Sequence, residues 1–122
     1  MGALQVVEVW DRSLRDGDWE AARATLADGA TYTAPSPDGG EISCSDADEI
    51  VGLLRSWKGQ LPDVEVVTWE EVGDHVLARL RQPAFGEDAD WYQVLSVRED
   101  LIVRLRDFPT QDAATVALAE PA

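Results

Sequence analysis

The chain has very little of what makes crosslinks and metal sites: one cysteine, Cys44, and one histidine, His75. A single thiol closes no internal disulfide, and one thiolate with one imidazole falls short of a structural zinc site. No metal and no cofactor are expected, and a reducing cytoplasm is the expected compartment. Basic residues are scarce too, ten Lys and Arg against twenty-four Asp and Glu, for a formal net charge of −14. Nucleic-acid binding depends on cations that neutralise phosphates, so this balance excludes it, and it argues equally against docking on an anionic membrane. Arg79, Arg81, Arg98, Arg104 and Arg106 form at most a local basic patch. No apolar run approaches the roughly 18 residues of a membrane span. The opening MGALQVVEVW lacks a basic region ahead of its apolar residues, and Val6 stands where a myristoylation signal carries Ser or Thr, so neither export nor a lipid anchor is expected.

What is present is the composition of one globular domain covering 1–122, with 45% hydrophobic residues and 28% charged. From Leu4 to Arg15 the positions Val7, Trp10 and Leu14 recur at helical spacing, widened by Val6 and Val9. Gly17 closes this helix. Asp18 caps a second, shorter one, in which Trp19, Ala22 and Leu26 share a face and Gly29 is the expected stop. The residues Ala30 to Ala34 alternate as a strand, and the turn-rich stretch from Pro35 to Gly40 leads to a second strand, Glu41 to Cys44. Ser45 or Asp46 caps a third helix, with Asp48 or Glu49 completing a capping box and Ile50, Leu53, Leu54 and Trp57 as its apolar stripe. Gly59 and Pro62 are its expected end.

Beyond Pro62 the period changes from helical to alternating. Four strands are predicted: Val64 to Glu71, His75 to Gln82, Trp91 to Val97 and Leu101 to Phe108. Gly73-Asp74 and Arg98-Glu99-Asp100 are hairpin links, and Pro83 to Asp90 is a longer acidic loop suited to the mouth of a cavity. A weak helical tail follows from Gln111 to Ala119. Three helices first and an antiparallel meander last give an α+β class.

The stretch LRDGDWEAARATLADGATYTAP, the strand GDHVLARLR and the ending LIVRLRDF together resemble the SnoaL-like branch of the nuclear-transport-factor-2-like superfamily. The resemblance spans nearly the whole chain. It implies a strongly curved, mostly antiparallel sheet wrapped around three helices as a cone, an apolar pocket at the open end, and a homodimer through the outer sheet face. Two departures matter. The ketosteroid-isomerase branch carries a catalytic aspartate just before a proline at the end of the first strand, and here Ala34 precedes Pro35. The limonene-epoxide-hydrolase-like branch needs an Asp-Arg-Asp set, and the corresponding strand offers Arg79 and Arg81 without a partner carboxylate, while Ala78, Leu80 and Gln82 hold the opposite phase.

One carboxylate does match the resemblance. SnoaL-type cyclases place an aspartate near the end of the last strand, pointing into the cone, and Asp107 stands there. Strict alternation puts it on one face with Val103 and Leu105 and sets Arg104, Arg106 and Phe108 on the other. An acid among apolar neighbours is a general acid/base candidate whose pKa should rise, unless Arg79 or Arg106 pairs with it and makes it a structural ion pair. Five tryptophans suggest a roomy apolar interior. Trp10, Leu14, Tyr32, Trp57, Trp91, Gln93 and Leu95 are the candidate ligand-binding residues. His75, just after a turn, is expected to be exposed, and Cys44 has no histidine to orient it as a nucleophile. The acidic residues Glu87, Asp88 and Asp90 lack the spacing of a calcium loop.

Two functions stay open: a non-catalytic domain that binds a small hydrophobic molecule or dimerises, and an isomerase-, cyclase- or hydrolase-type enzyme that uses Asp107 on a small cyclic or carbonyl metabolite. A dimer is expected because alternation places Val67, Trp69, Leu77, Tyr92 and Val94 together on the outer sheet face.

Overall fold

The first helix, α1 (Ala3–Asp16), buries Val6, Val7 and Trp10 along one stripe, and its first-turn amides find acceptors within the chain. Gln5 Oε1 accepts from the Gly2 amide at 3.1 Å, and the Glu71 carboxylate accepts from the Leu4 amide at 2.7 Å. At the other end Gly17 takes φ +70°, a left-handed conformation that glycine adopts without a Cβ clash. Its amide and that of Asp18 return to the Leu14 and Ser13 carbonyls, and the chain reverses at once. Asp18 then caps α2 (Trp19–Ala24) through the Ala21 amide at 3.1 Å. The computed structural model describes residues 2–36, 38–58, 64–81 and 90–122. Gly59 and Pro62, expected to stop the third helix, and Pro83 to Ala89 of the acidic loop lie outside them.

The second helix is shorter than its sequence suggests. Neither Leu26 nor Gly29 belongs to it, because β1 (Leu26–Pro35) begins at Leu26. The reason is tertiary: the Ile102 amide donates to the Thr25 carbonyl at 2.8 Å, and Leu26 pairs in parallel with Ile102. Backbone groups satisfied by a strand from the far end of the chain no longer need a helix. Gly29 falls in the irregular stretch between the Leu26 and Thr31 pairings.

β2 (Glu41–Cys44) folds back on β1, and α3 (Ala47–Lys58) follows. Asp46 accepts from the Glu49 amide at 2.8 Å, while the Glu49 carboxylate reaches back to the Ser45 amide and hydroxyl. The remaining strands are β3 (Glu65–Val72), β4 (His75–Arg81), β5 (Trp91–Arg98) and β6 (Leu101–Phe108). Gly73, at φ +59°, turns β3 into β4, and Glu99 and Asp100, at φ +53° and +63°, make the two-residue turn between β5 and β6. The six strands form one sheet in the order β2-β1-β6-β5-β4-β3, antiparallel except for β1 beside β6. The sheet is curved but not closed. Register shifts in β1, at Val67 of β3 and at Val103 of β6 add the extra residues that let strands bend.

These bulges also reset which side chains face inward. Val66 pairs with Leu80 and Trp69 with Ala78, so both face the α1 side although they are three residues apart. Trp69 therefore lies inside the curve rather than outside with Val67. In β6 it is Ile102, not Val103, that shares the core with Leu105.

The concave face carries the main core, in which Val7, Trp10, Ile50, Val76, Ala78, Leu95 and Leu105 pack together. A fourth helix, α4 (Gln111–Leu118), capped by Thr110, lies on the convex face. Its Ala114 and Ala117 cover Leu77 and Val94, with Tyr92 and Phe108 against the same cluster. Of the five residues expected to form a dimer face, three are thus taken by the chain's own last helix, Trp69 points inward, and Val67 alone stays exposed. His75 is likewise not exposed: only 4% of its surface meets solvent. It contacts the Ser96 hydroxyl at 2.7 Å through Nδ1 and the Glu120 carbonyl at 2.5 Å through Nε2. A carbonyl only accepts, so Nε2 carries the hydrogen.

Candidate active or ligand-binding site

Pairing of β6 with β5 puts Gln93 directly opposite Asp107, and pairing of β6 with β1 puts Tyr32 beside Leu105, two residues earlier. Directly paired residues share a face, so three polar side chains from three strands converge on one spot. The Tyr32 hydroxyl donates to Asp107 Oδ2 at 2.5 Å, and Gln93 Nε2 donates to Asp107 Oδ1 at 2.8 Å. Burial pushes the Asp107 carboxyl up to about 6, against the opposing pull of these two donors. Tyr32 is itself held protonated by burial and by the neighbouring carboxylate.

The arginines that were rivals for Asp107 are engaged elsewhere. Arg79 and Arg81 grip Asp90 at 2.6 and 2.7 Å, and Arg106 bonds Glu120 at 2.6 Å on the convex side. Leu80, between the first two, lines the cavity instead. The Asp-Arg-Asp set is thus not built on β4. Ala34 and Pro35, at the end of β1, also line the cavity, and Ala34 brings no acid to it.

The cavity itself encloses about 630 Å³ between α1, α3 and the concave sheet. Trp10, Trp19, Trp57, Trp69 and Trp91, all the tryptophans of the chain, line it. Leu14, Tyr32, Gln93 and Asp107 are also on its wall. Tyr32 meets Trp57 edge to face, with ring centres 6.3 Å apart. Leu95 is the exception: it is 1% exposed and packed in the core, a further inward position along β5 from Gln93 and outside the cavity wall. At the rim Arg15 and Asp11 form an ion pair at 2.8 Å, one helical turn apart.

Sequence reasoning missed Trp19, Trp69 and the Asp11–Arg15 rim. The unusual tryptophan content was the available signal for the first two, but Trp69 needs the bulge at Val67 to face inward. Among the described residues no group of three His, Cys, Asp or Glu side chains is placed to hold a metal, and no helix is long and apolar enough to cross a membrane.

Structural comparison places this architecture in known company. A de novo designed protein with a curved β-sheet superimposes with a TM-score of 0.70 at 19% identity, covering 96% of this chain and 92% of that one. An NTF2-like protein of unknown function from Cytophaga hutchinsonii gives 0.70 at 14% identity, with 94% and 96% covered. An LEH-like epoxide hydrolase from M. tuberculosis gives 0.66 at 19% identity, with 96% and 89% covered. At such identities the likeness is one of fold. No curated protein matches the sequence. Residues 6–105, which carry α1, α2, α3 and most of the sheet around the cavity, match the family model of the SnoaL-like domain, and the chain belongs to that family.

Proposed function

We propose that this protein binds a small hydrophobic molecule inside the cone, with the polar end of the ligand at Asp107. The observation that carries the proposal is that every tryptophan of the chain lines one cavity of about 630 Å³ whose wall also holds the Tyr32–Asp107–Gln93 cluster. That volume lies inside the range of small-molecule sites, roughly 300–1,000 Å³, and an aromatic wall with few convergent polar groups is their usual make-up. A chain that merely needed a core would have packed these rings to crystal-like density. The net charge of −14 supports a protein without nucleic-acid or anionic-membrane partners, and the single cysteine suits a cytoplasmic one.

Native mass spectrometry of the protein purified from its own host tests the proposal, with Ala34→Phe as a cavity-filling control. A co-purifying hydrophobic molecule, lost in the variant, is the expected result. A bare protein whose tryptophan fluorescence is also unmoved by a hydrophobic library would overturn it.

A second reading has its own support: the Asp107 carboxyl, at about 6, is close to neutrality, where a general acid/base works best. On this reading Asp107 exchanges a proton with a cyclic or carbonyl metabolite while Tyr32 and Gln93 hold it in place. Solvent deuterium should then enter the captured ligand, and Asp107→Asn should stop it. Unchanged exchange in that variant would remove this reading.

A further inference from the structure

We infer that the ligand is an organic cation, a hydrophobic molecule with a protonated or quaternary nitrogen seated between Asp107 and the tryptophan rings. This rests on the ligand-binding reading and names the chemistry of its ligand.

The first support is the wall. Indole faces are electron-rich and attract cations more strongly than other aromatic rings do, and five tryptophans line this cavity, one of which, Trp19, already has the Arg55 guanidinium 5.9 Å from its ring centre. The second is the carboxylate. Asp107 receives hydrogens from Tyr32 and Gln93, both neutral, and among the described residues no positive side chain compensates it. Among the described residues the arginines nearby have other partners: Arg79 and Arg81 hold Asp90, Arg106 holds Glu120, Arg15, on the cavity wall, holds Asp11, and Arg55 stacks 5.9 Å from the Trp19 ring. A buried negative group without a countercharge is costly, and a cationic ligand is what relieves it.

The third support is the direction of the hydrogen bonds. Tyr32 spends its one hydrogen on Asp107, and Gln93 spends one of its two. What the cluster keeps for a ligand is mainly acceptor lone pairs on Tyr32, Gln93 and Asp107. A neutral carbonyl, which only accepts, finds a poor partner there as long as Asp107 is ionised. A chain of net charge −14 also draws cations and repels anions at long range.

The titratable groups facing Asp107 are Tyr32 from β1, with Cys44 of β2 behind it, and Asp11 and Arg15 of α1 across the cavity. Tyr32 stays protonated and Cys44 is pushed above the usual thiol range by burial, so Asp107 is the group that changes charge near pH 6.

Benzyltrimethylammonium and its uncharged isostere neopentylbenzene, both small enough for the cavity, test the inference by quenching of tryptophan fluorescence. Near pH 7.5 the cation should bind roughly tenfold more tightly or better, a preference that shrinks near pH 5 as Asp107 takes up its proton. Asp107→Asn should cut the preference several-fold, to what the tryptophan rings alone supply, while the neutral compound still binds. Equal or tighter binding of neopentylbenzene, or a preference left undiminished by Asp107→Asn, overturns the inference and leaves the hydrophobic pocket standing. If neither compound perturbs the fluorescence, the pocket reading fails together with it.

Discussion

Tyr32 and Asp107, 75 positions apart in the sequence, meet through a hydrogen bond of 2.5 Å across the one parallel strand pair of the sheet. That contact orients the carboxylate on the cavity wall and opposes the effect of burial on its charge. Removing it with Tyr32→Phe should raise the Asp107 pKa further above about 6. Carbon-detected NMR titration of the carboxyl reads this directly, and a pKa that falls or stays put would contradict the assigned role of the hydroxyl.

Asp107 also shapes stability against pH. Its folded pKa of about 6 lies above the 3.8 of a free carboxyl, so the unfolded chain ionises first as pH rises. The stabilising contribution of the protonated form is full below about pH 4 and is lost as pH climbs through about 6. The gap corresponds to at most roughly 3 kcal/mol. Asp107→Asn, which can keep both hydrogen-bond partners if the Gln93 amide turns over, should therefore unfold at higher denaturant concentration than the wild type at neutral pH. The advantage should vanish toward pH 4. A variant less stable than the wild type at neutral pH would show that the carboxylate holds the strand end together.

The inward position of Trp69 depends on the extra residue in β3. Deleting Val67 restores strict alternation and should turn Trp69 to the convex face, where iodide quenches it, while weakening ligand binding. Val67→Thr keeps the bulge and should change neither. Unaltered quenching in the deletion variant would mean that the strand re-forms its bulge elsewhere.

His75 ties the chain's last residues to the sheet. In His75→Phe the Ser96 hydroxyl, which is fully buried, loses its partner, a cost of about 1–3 kcal/mol. The Glu120 carbonyl is released as well, so amide exchange at Ala119, Glu120 and Ala122 should quicken while exchange in β1 and β6 stays slow. Uniform acceleration throughout would indicate global unfolding rather than a loosened tail.

Much of this could be read locally. The caps at Gly17, Asp18 and Asp46 and the two-residue turns after Val72 and Arg98 follow from residue types whose preferences act over a few positions, whereas the inward Asp107 was implied by the family resemblance. The errors share one cause. Leu26 left the helix because β6 arrived to pair with it, and Trp69 and Ile102 changed face because bulges shifted the alternation. His75 was covered by the tail that follows α4, at Glu120, and α4 itself covered Leu77 and Val94.

By itself, the sequence determined the class of fold and the order of its elements. Periodicity, caps and composition are local or summed properties that do not depend on how the chain closes. Only the tertiary structure decided that five scattered tryptophans face one cavity and that Asp107 meets a tyrosine and a glutamine rather than an arginine. Strand register makes those choices. A single inserted residue in a β-strand exchanges its two faces, and nothing in the local residue preferences announces where that insertion falls.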